Sequence, residues 1–486
     1  MADLRRSLII NFLSSSGATI LQFIVSIILA RILSPSEIGV YSMTVVFVNL
    51  AHVFRDFGVN SYLQREDNLT QDKIRSATGV VFTSSWLIAT ALFLASGWLG
   101  HWFKEPEIIP VMRVLAIGFF FIPFGAVTSA LLNRDFEAKK QAWVNFAGTT
   151  SFCVSCLVLG KLGFGSMALA YANLINIVAC ALAYIPLRPK NLPWMPSFKH
   201  WRSVAHFGMG SLLSSCIGSL NSAIPDILLG KLGNARSVGL LSRANSTVTI
   251  FSYIAGSTVS YGAVSYLAQT HHRGESLVPM LSRATVLLTG VGWTAYALSA
   301  VLGYDIVGAL YGPTWLSCVP AILPLAVSAA IGMLFHYIPM AVTAIGRPYL
   351  SAVPTTVMMV ARIGFGVLLF NGSLSHFAWA LCLATLVTAP AIAAQQNSCF
   401  GYTTGAMLRA VAPSAVVAVG TAAAAFVLAR LLPSTLPPLV RLLIMALPLA
   451  AVWYAMLRMT RHELVGEIHR LASPIMTKLM LLRPNV

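Results

Sequence analysis

"LARILSPSEIGVYSMTVVFVNLAHVFRDFGVNSYLQRED" runs from Leu29 to Asp67. It leaves one apolar run, turns at "SPSE" (Ser34–Glu37) and enters a second run, read here as 38–62. At 1.5 Å per residue, a helix of that length crosses a hydrocarbon core of about 30 Å. Two long apolar segments joined by a short polar turn form a transmembrane helical hairpin. The hairpin also carries a puzzle: Arg55 and Asp56 stand side by side near the end of the second run.

The pattern recurs along the whole chain. We read about fourteen spans, at 8–33, 38–62, 76–99, 108–132, 144–160, 166–187, 204–230, 238–267, 283–303, 319–343, 348–370, 374–395, 409–431 and 439–457. Composition agrees: 57% of residues are hydrophobic and only 10% are charged, against roughly 25% charged in soluble domains. A transmembrane β-barrel would show short alternating segments instead. The expected fold class is an all-α polytopic membrane protein.

The net charge of +17 is not a nucleic-acid signature. The cations sit singly in short loops, with no patch of interleaved aromatics. They follow membrane topology instead. With the N-terminus inside, Lys and Arg outnumber those on the opposite side about threefold, which puts both termini in the cytoplasm. Arg55, Arg113, Arg243 and Arg362 alone fall within spans. The run after Arg5 and Arg6 is too long for a signal-peptide core and reads as a retained first span. "CVSC" (Cys153–Cys156) has a redox or zinc spacing but lies in an apolar run with no second ligand pair, so it reads as packing. After 457, Leu464, Ile468, Leu471 and Ile475 repeat at helical spacing, which reads as an amphipathic helix on the inner membrane face or as a solvated helical end.

The chain echoes itself at an offset of 200 residues. "LARILSPSEIGVY" (Leu29–Tyr41) lies over "LGKLGNARSVGLL" (Leu229–Leu241), matching Arg31 with Lys231 and Gly39 with Gly239. Asn11, Ser15, Ala18, Gln22 and Ser26 share one helix face, and Ser211, Ser215, Gly218, Ser222 and Asp226 repeat that face. Two six-helix lobes follow, 1–200 and 201–400, related by a pseudo-two-fold axis along the membrane normal. Residues 401–457 add two further spans, and 458–486 form the cytoplasmic tail.

The opening stretch resembles the N-terminal signature of Wzx-type polysaccharide flippases of the multidrug/oligosaccharidyl-lipid/polysaccharide exporter superfamily. The matching residues are Ala30–Leu33, Pro35, Gly39–Tyr41, Asp56, Gly58 and "LQRED" (Leu63–Asp67). The resemblance implies a fourteen-helix, two-lobed flippase of a bacterial inner membrane with a central cavity. Its substrate would be an oligosaccharide repeat unit on undecaprenyl pyrophosphate, moved from the cytoplasmic to the periplasmic leaflet. Its partners would be that lipid-linked oligosaccharide, membrane lipid, and a polysaccharide polymerase with its export machinery. No cofactor, metal or nucleic acid is expected.

Such a task needs hydroxyls and amides for sugar and cations for phosphate. Ser42, Asn49, Asp56 and Asn60 form one candidate stripe, with His52 at its edge. Ser211, Ser215 and Ser222 belong to another. Intramembrane charges usually face a cavity, so Arg362, Arg243, Arg113 and Arg55 are candidate headgroup ligands; the three nearer span ends either line the path or snorkel. Asp56, Asp226, His52 and His336 are candidates for coupling or gating, and lone histidines also serve as packing residues. Arg55 and Asp56 are expected not to face each other, because adjacent helical positions point about 100° apart.

A multidrug antiporter of the same superfamily is the nearest rival, but acidic residues to attract organic cations are absent from the first span. A lipid II flippase would carry an Arg-rich first span. A membrane-embedded polymerase, ligase or glycosyltransferase needs a large outer catalytic loop, whereas the stretch from about Gly303 to Cys318 offers Asp305 as its only acid and no His. The chain is expected not to be an enzyme.

Overall fold

A computed structural model describes residues 2–56, 58–66, 68–135, 137–189, 196–197, 201–260 and 263–470. The side chains of 2–13, 15, 61, 65, 202–215, 250–260, 263–266 and 348 lie outside the described set. Every element among the described residues is helical. Hydrocarbon offers backbone amides no partner, so the chain must satisfy them within each segment. Ten helices are long and apolar enough to cross a membrane among the described residues, or eleven if one bent pair counts as a single span. The protein is a multi-pass membrane protein.

The chain divides into two compact units, Met1–Ser242 and Arg243–Val486. The first holds α1 (Ala2–Ile32), α2 (Pro35–Asp56), α3 (Val59–Arg65), α4 (Gln71–Phe103), α5 (Ile108–Phe121), α6 (Pro123–Arg134), α7 (Ala138–Lys161), α8 (Ser166–Tyr184), α9 (Trp201–Leu232) and the start of α10 (Ala235–Ser260). α7 packs against α1 and α8, α4 against α5, and α9 against both α2 and α4. That last packing carries the unit boundary past residue 200. Small residues set the close approaches: a methyl group on Gly125 of α6 would lie 2.4 Å from the Tyr184 ring of α8.

Two predicted spans break where the chemistry demands it. The expected 38–62 span stops at Asp56, because Gly58 takes a left-handed backbone (φ 66°) and α3 starts afresh. The expected 108–132 span bends by 56° between α5 and α6, where Pro123 lacks the N–H that would continue the helix. Of the expected 238–267 span, the described parts are α10 up to Ser260 and α11 (Ala263–His272). Turn chemistry is reciprocal at "SPSE": Ser34 N–H donates to Glu37 Oε2 (2.7 Å) and Glu37 N–H to Ser34 Oγ (3.3 Å). Asn234 caps α10 in the matching place, accepting from Ser237 N–H at 2.9 Å.

The second unit continues α10 and adds α11, α12 (Val278–Val301), α13 (Gly303–Leu310), α14 (Val319–Leu334), α15 (Ile338–Ala344), α16 (Ala352–Leu369), α17 (Leu374–Phe400), α18 (Thr404–Leu431) and α19 (Pro438–Met459). α12 packs on α14 and α18, α17 on α14 and α16, and α19 on α13 and α18. Asp305 of α13 and Arg441 of α19 form a buried ion pair at 2.9 Å, and Arg441 also donates to the Ala429 carbonyl at 2.8 Å. Burial pushes the Asp305 carboxyl up, and Arg441 partly offsets this.

The described part of the tail is docked on this unit. His462 is 3% exposed. Its Nδ1 accepts from Leu464 N–H at 3.1 Å, so Nε2 carries the proton toward Ser414 Oγ of α18 at 2.9 Å. Ser414 also meets Thr289 Oγ1 of α12 at 2.9 Å. Arg283 of α12 holds Glu467 at 2.5 Å and Glu463 at 3.7 Å. The tail, expected to lie on the membrane face or to be solvated, is pinned at its start by a buried imidazole and a bifurcated ion pair.

Two outcomes follow from this packing. Asp305→Ala strands a buried guanidinium, which costs about 3–5 kcal/mol, whereas Asp305→Leu with Arg441→Met removes both charges. In detergent, thermal unfolding should begin several degrees lower for the single variant than for the double. Burial lowers the His462 pKa, and Glu463 partly opposes this. The docked state thus favours neutral His462, and its advantage is complete above the ordinary histidine pKa and is lost as pH falls below it. Tryptic cleavage after Arg461 should therefore rise between about pH 7.5 and pH 5.5. The neighbouring groups are Glu463, Glu467, Arg283 and a second imidazole, His469, bonded to Tyr454 Oη at 3.0 Å. His462→Gln separates the two: it should flatten the pH dependence if His462 is its source.

Candidate functional site

The candidate residues fall into distinct places. At the end of α2, Arg55 and Asp56 do pair: Arg55 Nε donates to Asp56 Oδ1 at 3.0 Å, and Nη2 contacts the same oxygen. This corrects the expectation from helical spacing. The 100° rule fixes the Cβ direction, but the long Arg55 stem swings its guanidinium back over the last turn, and α2 stops at Asp56. Asp56 remains 57% exposed and Arg55 only 15%, so the pair presents its carboxylate outward. Ser84 Oγ of α4 donates to the Arg55 carbonyl at 3.1 Å. His52, one turn back, stacks on Phe119 of α5 with ring centroids 4.6 Å apart.

The polar stripe of the second span is shorter than expected. Ser42 and Asn49 share α2 with Asp56, and Asn49 is exposed. Asn60 belongs to α3 instead and accepts from Gln64 Nε2 at 3.0 Å. On α9, Ser222 is exposed and donates to the Gly218 carbonyl at 3.1 Å. Asp226 is half-buried directly after Pro225, which sits inside the helix. The side chains of Ser211 and Ser215 lie outside the described residues.

Arg113 of α5 is exposed, donates to Ser96 Oγ of α4 at 3.3 Å and lies 5.1 Å over the Phe93 ring. Ser84 and Ser96 are about 18 Å apart along α4, so Arg55 and Arg113 meet α4 at separate levels of the first unit. In the second unit, the Arg243 guanidinium lies 5.7 Å from the ring centroids of both Tyr311 and Trp315. Those rings are buried, so Arg243 is held by cation–π contact. Arg362 is half-buried midway along α16, a helix whose only fully buried residues are Pro354 and Gly366. His336 lies in the turn between α14 and α15, edge-on to Tyr337 at 5.0 Å.

The end of the first unit that carries the α1–α2, α4–α5 and α9–α10 turns holds contacts that sequence reading passed over. Lys231 Nζ donates to the Trp102 carbonyl at 2.7 Å and lies 4.9 Å from the Trp102 ring. Glu105 Oε1 accepts from Ala235 N–H at 3.3 Å. Between them, α2 and α10 touch backbone to backbone. An ideal Cβ on Gly39 would lie 1.7 Å from the Ala235 carbonyl oxygen, and one on Gly239 would lie 1.9 Å from the Pro35 carbonyl oxygen. The signal in the sequence was the match of Gly39 with Gly239, at the same offset that pairs Pro35 with Ala235.

Comparison with known proteins fits this architecture. The sequence profile of a family described as polysaccharide biosynthesis protein matches residues 28–320. The teichuronic acid biosynthesis protein TuaB of Bacillus subtilis is 20% identical over 389 residues, covering 77% of this chain and 78% of that one. The succinoglycan biosynthesis transport protein ExoT of Rhizobium meliloti is 24% identical over 331 residues, covering 66% and 65%. Among solved structures, the lipid II flippase MurJ in an inward closed conformation aligns with a TM-score of 0.73 at 14% identity, covering 93% of this chain and 99% of that one. An inward-facing multidrug transporter of the MATE family aligns at 0.62 with 15% identity, covering 82% and 94%. The profile spans more than half of the sequence, and the chain belongs to the polysaccharide biosynthesis protein family.

Proposed function

We propose that this protein flips oligosaccharide repeat units carried on undecaprenyl pyrophosphate from the cytoplasmic to the periplasmic leaflet of a bacterial inner membrane. The family match over residues 28–320 carries the reading. It works by alternating access between two six-helix lobes, 1–200 and 201–400, followed by two further spans at 401–457 and a cytoplasmic tail. Fourteen spans with both termini inside accord with the threefold excess of Lys and Arg on one side.

Pyrophosphate must leave water to cross, so the path has to replace its hydration with fixed donors. Guanidinium suits this, because it stays charged and its planar fork bonds two oxygens at once. Arg362 is the leading candidate: it stands mid-helix, far from either interface, where a cation without a task is costly. Arg55 with Asp56 sits at the inner mouth, where the exposed carboxylate holds the guanidinium until phosphate competes for it. Asp226 and His52 are candidate coupling or gating groups. Polysaccharide polymerase and export machinery are the expected partners downstream.

Deleting the gene in a host without a redundant flippase should abolish surface polysaccharide, and restoring it should recover the polymer; unchanged polysaccharide refutes the reading. Arg362→Ala, at normal protein level, should lose complementation, with Arg362→Lys retaining part of it as a point charge. Full complementation by Arg362→Ala would remove the cationic path.

A further inference from the structure

Three helices of the second unit end around one small cavity of about 310 Å³. α11 closes at Gly274, whose left-handed backbone (φ 74°) lets Glu275 N–H donate to the Thr270 carbonyl at 3.2 Å. α15 closes the same way at Gly346 (φ 77°), with Arg347 N–H donating to the Val342 carbonyl at 3.0 Å. α17 brings its last residues, Cys399 and Phe400, to the same cavity. The first two ends satisfy their own carbonyls, so the side chains that follow them are available to line the cavity.

One wall is apolar and firmly backed. It is formed by Leu277, which is 5% exposed, with Ile345 and Phe400. Phe400 packs on a buried cluster that joins Val342 of α15 to Tyr402 and Met407. Gln396, fully buried, donates to the Tyr402 carbonyl at 3.1 Å and fixes that turn.

The other wall is polar and exposed, with His271, Glu275, Ser276 and Arg347. Glu275 and Arg347 line one cavity, yet among the described residues neither side chain has an ion-pair partner. Ser276 Oγ accepts from Val278 N–H at 3.3 Å, which leaves its own proton for another acceptor. Arg347 offers a permanent charge and a planar fork, whereas the Glu275 carboxylate only accepts. A bare phosphate would leave Glu275 and the apolar wall unused. All three surfaces are used by a phosphate that carries both a hydroxylated group and a hydrocarbon chain. The volume is at the low end for ligand sites, which suits one compact headgroup and excludes a string of sugars. The loop cations assign this end to the cytoplasmic side. Anionic lipids concentrate there, and basic pockets between spanning helices on that side take up their headgroups.

We propose that this cavity binds an anionic glycerophospholipid with a hydroxylated headgroup, of the phosphatidylglycerol type, from the cytoplasmic leaflet. Arg347 and Ser276 hold the phosphate, Glu275 accepts from a headgroup hydroxyl, and the first chain carbons lie on Leu277, Ile345 and Phe400. The bound lipid bridges the ends of α11, α15 and α17. The site stands apart from the flippase reading and is tested without the transported substrate.

Cys399 is a half-buried thiol in the cavity wall and serves as a native reporter. The purified full chain in detergent is treated with a water-soluble maleimide, and peptide mapping reads Cys399 apart from the other cysteines. Phosphatidylglycerol should slow its labelling at least about fivefold, because only the lipid-free fraction reacts. Phosphatidylcholine and inorganic phosphate should leave the rate unchanged, and phosphatidic acid, which lacks the headgroup hydroxyl, should protect less. Arg347→Gln removes only exposed atoms and should cut the protection by phosphatidylglycerol to under about twofold. Arg273→Gln, on the same turn as His271 but outside the cavity wall, should keep it. If Cys399 does not react without lipid, native mass spectrometry decides: the wild type should retain one more phosphatidylglycerol than Arg347→Gln. Undiminished protection or retention in Arg347→Gln overturns the site, as does an equal loss in Arg273→Gln. Equal protection by phosphatidylcholine overturns the need for an anion. Equal protection by inorganic phosphate marks a free-phosphate site only, and equal protection by phosphatidic acid overturns the hydroxyl contact with Glu275.

Discussion

The cost of an unpaired backbone amide in hydrocarbon governs this protein. It makes every spanning segment a helix, keeps the turns short and forces each helix end to find a partner. Ser34 with Glu37 and Asn234 with Ser237 do this with their own side chains. Arg134 does it at a distance, donating to the Leu63 and Glu66 carbonyls at 2.8 and 2.6 Å and so closing the end of α3. Where the ladder is broken, at Gly58 and Pro123, the chain restarts or bends, and the candidate Asp56 stands beside the first of these breaks; Asp226 follows Pro225 inside α9.

The same solvent makes helix association depend on close fit. Lipid tails are as apolar as leucine, so packing gains come from shape and from hydrogen bonds. Glycine provides the closest fit of all, and it does so at very different contacts. Gly125 and Gly148 admit the side chains of Tyr184 and Cys180, which lock α6 and α7 to α8. Gly39 and Gly239 admit only backbone, which holds without interlocking.

Much of this was legible in the sequence, for physical reasons. Long apolar runs dictate spans. The repeat exposed the matched turns at 34 and 234. Interruptions within apolar runs were less legible, because hydropathy is blind to Gly58 and weakly sensitive to Pro123. The Arg55–Asp56 pair was missed because spacing rules describe Cβ directions, whereas a flexible cation acts at the end of a long stem. The match of Gly39 with Gly239 was visible, but its meaning was not, since a backbone contact leaves no complementary residue type to read. His462 was invisible for a related reason: a lone histidine after the last span gives no hint of Ser414, which lies 48 residues earlier.

The account stands most directly on transbilayer movement of a lipid-linked sugar. The purified protein would be reconstituted in liposomes holding a fluorescent undecaprenyl-pyrophosphate oligosaccharide, and an impermeant lectin or glycosidase would report how much of it is reachable from outside. The account predicts that the inaccessible inner-leaflet pool becomes reachable in liposomes containing the protein and stays inaccessible in protein-free liposomes. An equally protected pool in both, with the protein folded and inserted, would contradict it.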